Sequence, residues 1–215
     1  RGGGAQIGID EGHGPAAADQ QHLDRRLGGG VLAAAMHEAW GPGAPALAAI
    51  LAGRAGGPVV WVRDRDGAAE IFGDTLNMLG FSADRIIRVD APKRDVLWAF
   101  EQALRSGAAR AAVAETAMAP DFTESRRLQL AARDGGALGL LLPPEPRGAA
   151  AASAAETRWR ALPAAAAAPW EAPAFRLELL KNKKGSIGAW DMVWNAATHR
   201  FDLAAELRDG SDRAA

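Results

Sequence analysis

The chain has no cysteine, which excludes a disulfide framework, a cysteine-ligated zinc site and thiol chemistry. It has almost no net charge, −1 at pH 7, so it does not coat nucleic acid through bulk positive charge, although a local patch stays open. No apolar run reaches the ~18 residues of a transmembrane helix, and no signal peptide is visible. Because the chain starts at Arg1 rather than Met, a missing upstream segment is left open. The expectation is a soluble cytoplasmic protein without membrane contact. Its four histidines, His13, His22, His37 and His199, lack ligand spacing and read as surface or packing residues rather than metal ligands. Lysine is scarce as well: of four in the chain, three stand together as Lys181, Lys183 and Lys184.

What is present is apolar. Hydrophobic residues make up 48% of 215, enough for one α/β domain with a small appendage. Residues 1–22 are Gly/Ala-rich and polar and read as a flexible lead-in, 23–203 as the domain, and 204–215 as a polar tail. Apolar runs at 36–40, 58–62, 85–89, 109–114 and 137–142 alternate with helical stretches at 44–51, 69–79, 94–105 and 123–132. Strands alternating with helices of that length imply βαβ units and a parallel sheet, whose buried strands read as continuous apolar runs. Gly80 and Gly107 stand just past their helices, where a C-terminal glycine is expected. After residue 142 the pattern changes. A proline-rich turn at 143–148 precedes another strand at 154–162, and 163–173 is an Ala/Pro connector. Residues 175–181 and 190–194 alternate as half-exposed antiparallel strands do, with 181–188 as the bend and 199–203 as a short final strand.

One unit has the layout of a phosphate-binding loop. Met36-His-Glu-Ala-Trp-Gly-Pro-Gly43 leads from an apolar run through a Gly41-Pro-Gly43 turn into an Ala/Leu-rich helix. A working loop reads G-x-x-x-x-G-K-[ST], with the lysine on the β/γ-phosphates and the hydroxyl on Mg²⁺. Counted from Gly41, the last three positions hold Ala46, Leu47 and Ala48, so both chemical groups are missing.

Leu23-Asp-Arg-Arg-Leu-Gly-Gly-Gly-Val-Leu32 followed by 36–43 resembles the start of the RecA recombinase core. The similarity continues through Met78-Leu-Gly-Phe-Ser-Ala-Asp-Arg-Ile-Ile87, 99–104 and Arg105-Ser-Gly-Ala-Ala-Arg-Ala-Ala-Val-Ala-Glu-Thr116, the helix end and Walker B strand, to Glu178-Leu-Leu-Lys-Asn-Lys183, which is similar to the K-N-K hairpin of that core. Within that superfamily Ser125-Arg-Arg-Leu-Gln-Leu-Ala-Ala132, Gly139-Leu-Leu-Leu-Pro-Pro-Glu145, 151–159 and 175–181 resemble the ImuA family of SulA/RecA-like proteins from damage-inducible mutagenesis cassettes. The resemblance spans 23–203. It implies an α/β fold: a RecA-like P-loop-type core with a mainly parallel central sheet flanked by helices, and a C-terminal antiparallel β extension. It also implies an accessory role in SOS translesion synthesis. The implied partners are an ImuB-type Y-family polymerase relative, an error-prone C-family DNA polymerase and a RecA filament, with DNA contact indirect or weak.

Set beside the active RecA template, the site residues depart from it. Glu115 stands at the Walker B position in place of aspartate. Asp64 or Asp66 could match the water-activating carboxylate, and the flanking Arg63 and Arg65 read as a surface charge pair with them. Pro143, Pro144 and Glu145 stand where the γ-phosphate-sensing glutamine is expected, and proline offers no side-chain donor. The segments at the DNA-loop positions, 118–122 and 145–150, carry no lysine and no run of arginines. The expectation is a protein without catalytic residues or cofactor that docks rather than hydrolyses. A residual DNA-dependent ATPase and a SulA-like division inhibitor are the alternatives. The resemblance assigns Lys181 and Lys183 to a filament interface, against a solvated basic hairpin tip. Trp170, in its proline-flanked linker, reads as a partner contact or as local packing.

Overall fold

The computed structural model describes residues 33–67, 73–79, 81–146, 151–164, 173–195, 197–198 and 200–203. The expected lead-in, the tail and Trp170 lie outside them, as does Gly80. In chain order the elements are β1 Met36–Trp40, α1 Ala44–Arg54, β2 Val59–Asp64, α2 Gly73–Met78, β3 Ile86–Ala91, α3 Val96–Arg105, β4 Ala111–Glu115, α4 Phe122–Gly135, β5 Leu138–Leu142, β6 Thr157–Pro163, β7 Ala174–Asn182, β8 Gly188–Asn195 and β9 Arg200–Leu203. They form a nine-stranded sheet in the order β3-β2-β4-β5-β1-β6-β7-β8-β9. The pairings from β3 across to β6 are parallel, and those from β6 to β9 are antiparallel.

Successive residues of the central strands pack on opposite faces of the sheet as the pleat requires. On one face α1 packs with Trp61, Leu140, Trp159, Phe175 and Trp194. On the other, Val96, Phe100 and Leu104 of α3 meet Leu128 and Ala132 of α4 over Val62 and Leu141. Helices on both faces of parallel strands make a doubly wound α/β domain, and the central β5, and β4 as far as Glu115, are apolar because both of their faces are covered. The antiparallel extension carries a charged ladder on its open side, where Arg176 lies 3.1 Å from Asp191 and 3.4 Å from Glu178.

Local sequence signals set several boundaries. Asp121 caps α4 by accepting the Glu124 N–H at 2.7 Å, and Glu124 accepts the Asp121 N–H at 2.9 Å. That reciprocal box satisfies two of the amides left without helical partners at a helix start. Asp121→Ala is expected to cost about 1 kcal/mol, a fall in melting temperature of about 2–4 °C in calorimetry. Most expected boundaries shift by one to three residues, and three shifts have a visible local cause. Residues 154–156 are not strand, because β6 begins at Thr157 and pairs in parallel with β1. The helix expected from 94 begins at Val96, after a 3₁₀ turn over Lys93–Asp95 that follows the extended Pro92. A second 3₁₀ turn, Ala83–Arg85, occupies the expected start of β3.

Candidate functional site

The carboxyl ends of β1, β2, β4 and β5 surround a crevice of about 320 Å³ lined by Trp40, Gly41, Arg63, Asp64, Glu115 and Pro143, among others. This is the edge at which open α/β sheets take their ligands. Strand order brings these residues together: β5 lies between β1 and β4, so the Gly41 turn, Pro143 and Glu115 sit side by side although far apart in sequence.

The turn after β1 is tight and tied down. Gly41 has φ +93°, and a Cβ on it would meet the Ala161 carbonyl oxygen at 2.6 Å, so only glycine fits. Gly43 N–H donates to that same Ala161 oxygen at 3.0 Å. Ala44 N–H donates to the Gly41 carbonyl and Leu47 N–H to the Gly43 carbonyl, each at 3.0 Å. Pro42 and Pro45 have no N–H. A phosphate cradle needs successive amides aimed at one point in front of a helix start. Here the amides of Gly43, Ala44 and Leu47 are engaged within the chain, and positions 42 and 45 have none. The helix has already begun at Ala44, so Ala46 is half-buried against the core while Leu47 and Ala48 are 2% and 1% exposed within it. The positions matching the lysine and the hydroxyl thus point away from the crevice.

Glu115 does face the crevice, and its Oε1 accepts the indole N–H of Trp61 at 2.6 Å. Arg63 was expected at the surface, and the structure corrects this: it is 8% exposed. Its Nη2 donates to the Gly67 carbonyl at 2.7 Å and its Nε lies 3.4 Å from Asp90 on β3. Burial is tolerated because these partners replace water around the guanidinium. Asp64 accepts the Asp66 N–H at 3.2 Å, and Asp66 itself is exposed. Glu145, beyond the Pro143-Pro144 pair, pairs with Arg160 of β6 at 2.7 Å.

A second crevice of about 390 Å³ adjoins the first and shares Trp40, Ala117 and the proline pair. On its wall stands a cluster that sequence reasoning missed. Glu38, 1% exposed, accepts from Arg158 Nε at 2.7 Å and from the Ser153 hydroxyl. Arg158 lies over the Trp40 ring at 5.2 Å and donates to the Ala151 carbonyl at 2.7 Å. A charged residue inside the apolar run of β1 was the available signal. His37, next in β1, is buried with Nδ1 2.7 Å from the Thr157 hydroxyl.

The lysine hairpin is brought to the same segment. Lys181 donates to the Ser153 carbonyl, and Lys183 to the Ala154 carbonyl at 2.6 Å. Lys183 and Lys184 approach the buried Glu156 carboxylate at 4.0 and 3.8 Å. Burial pushes the Lys181 ammonium below the ordinary lysine range, with the neighbouring Lys183 and Arg158 adding to the shift. Both ammonium groups that the resemblance assigned to a filament interface therefore bind this chain's own backbone.

A doubly wound α/β domain with its crevice at the carboxyl edge of the parallel strands is the class that fold and site define. The chain is 37% identical over 211 residues to Protein ImuA from each of two strains of Caulobacter vibrioides, with 85% of this chain and 85% of the relative covered. It matches no family model. The chain belongs to the ImuA family. No helix among the described residues is long and apolar enough to cross a membrane.

Proposed function

We propose that the chain is a non-catalytic, RecA-like accessory protein of damage-inducible, error-prone translesion synthesis, acting through protein contacts. Membership of the ImuA family supports the place in mutagenesis. The turn at Gly41 is the observation that carries the non-catalytic reading. With the Gly43 amide held by Ala161, two prolines in the turn, and Leu47 and Ala48 in the core, transferred phosphate would find neither a cradle nor a countercharge there. The partners on this reading are an ImuB-type Y-family polymerase relative and an error-prone C-family DNA polymerase. A RecA filament contact through the hairpin would have to compete with the bonds of Lys181 and Lys183 to residues 153 and 154, and Lys184 is the hairpin cation most open to solvent.

The crevice itself favours one second reading. Glu115 and Asp64 line an open space of about 320 Å³ at the ligand-binding edge of the sheet, so a nucleotide could be held without the usual loop, with residual DNA-dependent ATPase activity. Titration with a fluorescent ATP analogue, with phosphate release measured in the presence and absence of single-stranded DNA, separates the two. A flat titration and no DNA-stimulated release are expected; saturable binding with release would replace the adaptor reading by the enzymatic one. Pull-down from damaged cells should then recover a Y-family polymerase relative.

A further inference from the structure

The sheet ends at β3, and among the described residues no strand pairs with its outer edge. Exposed edges of this kind are templates for pairing with another chain, and charge is the usual guard against it. The charges on β3 do not guard it against its own copy. Arg88 and Asp90 lie on one face, their side chains 2.9 Å apart, with Arg88 about half exposed. Ile87, 55% exposed, lies on the other face with Val89 and Ala91, which pack toward α3 and α4.

Backbone direction adds an independent constraint. The Ala91 carbonyl accepts the Arg65 N–H at 2.9 Å, on the β2 side. Backbone groups alternate along a strand, so Ile87 and Val89 also turn toward β2 while the N–H and C=O of Arg88 and Asp90 turn outward. A second β3 laid antiparallel with a two-fold axis through Val89 would place Arg88 opposite the partner's Asp90. The two outward-turned residues would then exchange both backbone bonds, as a hydrogen-bonded antiparallel pair does. Val89 would face the partner's Val89, and Ile87 the partner's Ala91.

From this register we propose that β3 is a self-recognition edge, through which two copies of the chain join into one continuous sheet about a two-fold axis. A two-fold contact is self-complementary by construction. Here the order Ile-Arg-Val-Asp-Ala supplies that complementarity in charge on one face and in apolar contact on the other. One short strand buries less than a standard interface, so the dimer is concentration-dependent.

Sedimentation equilibrium over a concentration series reaching the high-micromolar range tests this. The wild type is expected to pass from monomer to dimer. In Arg88→Asp two acidic pairs face each other across the axis, and in Asp90→Arg two basic ones. Each is expected to weaken self-association by about tenfold. An equimolar mixture of the two variants restores both opposite-charge pairs and should dimerise as the wild type does, which damage to either fold would not produce. Asp90 also approaches Arg63, so circular dichroism checks that variant. Ile87→Lys, on the opposite face, supplies a readout independent of it and should weaken the dimer by a similar factor. A wild type that is monomeric throughout overturns the proposal, and so does a dimer indifferent to Arg88→Asp and Ile87→Lys.

Discussion

Gly135→Ala is expected to destabilise the domain by about 3 kcal/mol, at the upper end of overpacking effects. Gly135 is the last residue of α4, where that helix runs over the end of α3. A Cβ there would lie 1.9 Å from the Leu104 carbonyl oxygen and 3.1 Å from the Arg105 Cα. Both atoms are backbone, so no side chain can rotate away; either the helices separate or the last turn of α4 unwinds. Helix propensity alone predicts the opposite sign, because alanine is favoured over glycine by about 1 kcal/mol in a helix interior. The sign of the change in a urea titration therefore decides the matter. A more stable variant would mean that α3 and α4 do not approach as described. The expected fall in melting temperature is about 6–12 °C.

Loss of the Glu38 carboxylate should have an effect of similar size. Glu38→Ala would leave the Arg158 guanidinium, whose side chain is 13% exposed, over the Trp40 ring with no anion beside it. The Ser153 hydroxyl would lose its acceptor. Breaking a buried pair from one side typically costs about 3–5 kcal/mol, because the remaining charge stays desolvated. Replacing both members by apolar residues of similar size is often close to neutral. Glu38→Ala is therefore expected to cost about 3 kcal/mol, and Glu38→Leu combined with Arg158→Met much less than either single change. A double variant as unstable as the sum of the singles would show that the two groups act independently. Since Glu38, Trp40 and Arg158 wall the second crevice, loss of polymerase-relative binding in the stable double variant would place that contact there.

The parallel half of the sheet was legible because β1, β2, β4 and β5 read as short, mostly apolar runs separated by helices. The glycine turn after β1 was a local signal too, whereas the capping box at Asp121 and Glu124 went unread although its residue types were there. β6 was harder. Its alternation of Thr157, Arg158, Trp159 and Arg160 matches a half-exposed strand, and nothing local shows that it runs parallel to β1. That depends on a partner distant in the chain. Arg63 was misplaced in part for the same reason, since one partner that lets it be buried, Asp90, lies on β3. The lysine cluster could be seen in the sequence, whereas its partners, two backbone carbonyls at 153 and 154, leave no trace in residue types. At the Gly41 turn the missing lysine and hydroxyl were readable. That its amide is spent on β6 was not.

The position of β1 bears on how the domain is made. It is the first described strand of the chain, yet its neighbours are β5 and β6, and the Glu38–Arg158 contact closes 120 residues. During synthesis β1 leaves the ribosome long before either flank exists, and loop closure over such distances is slow. The units from β2 to β5 can pair first, opening a slot that the oldest strand must enter late. An apolar β1 left waiting is the segment most exposed to wrong partners on the way to the native sheet.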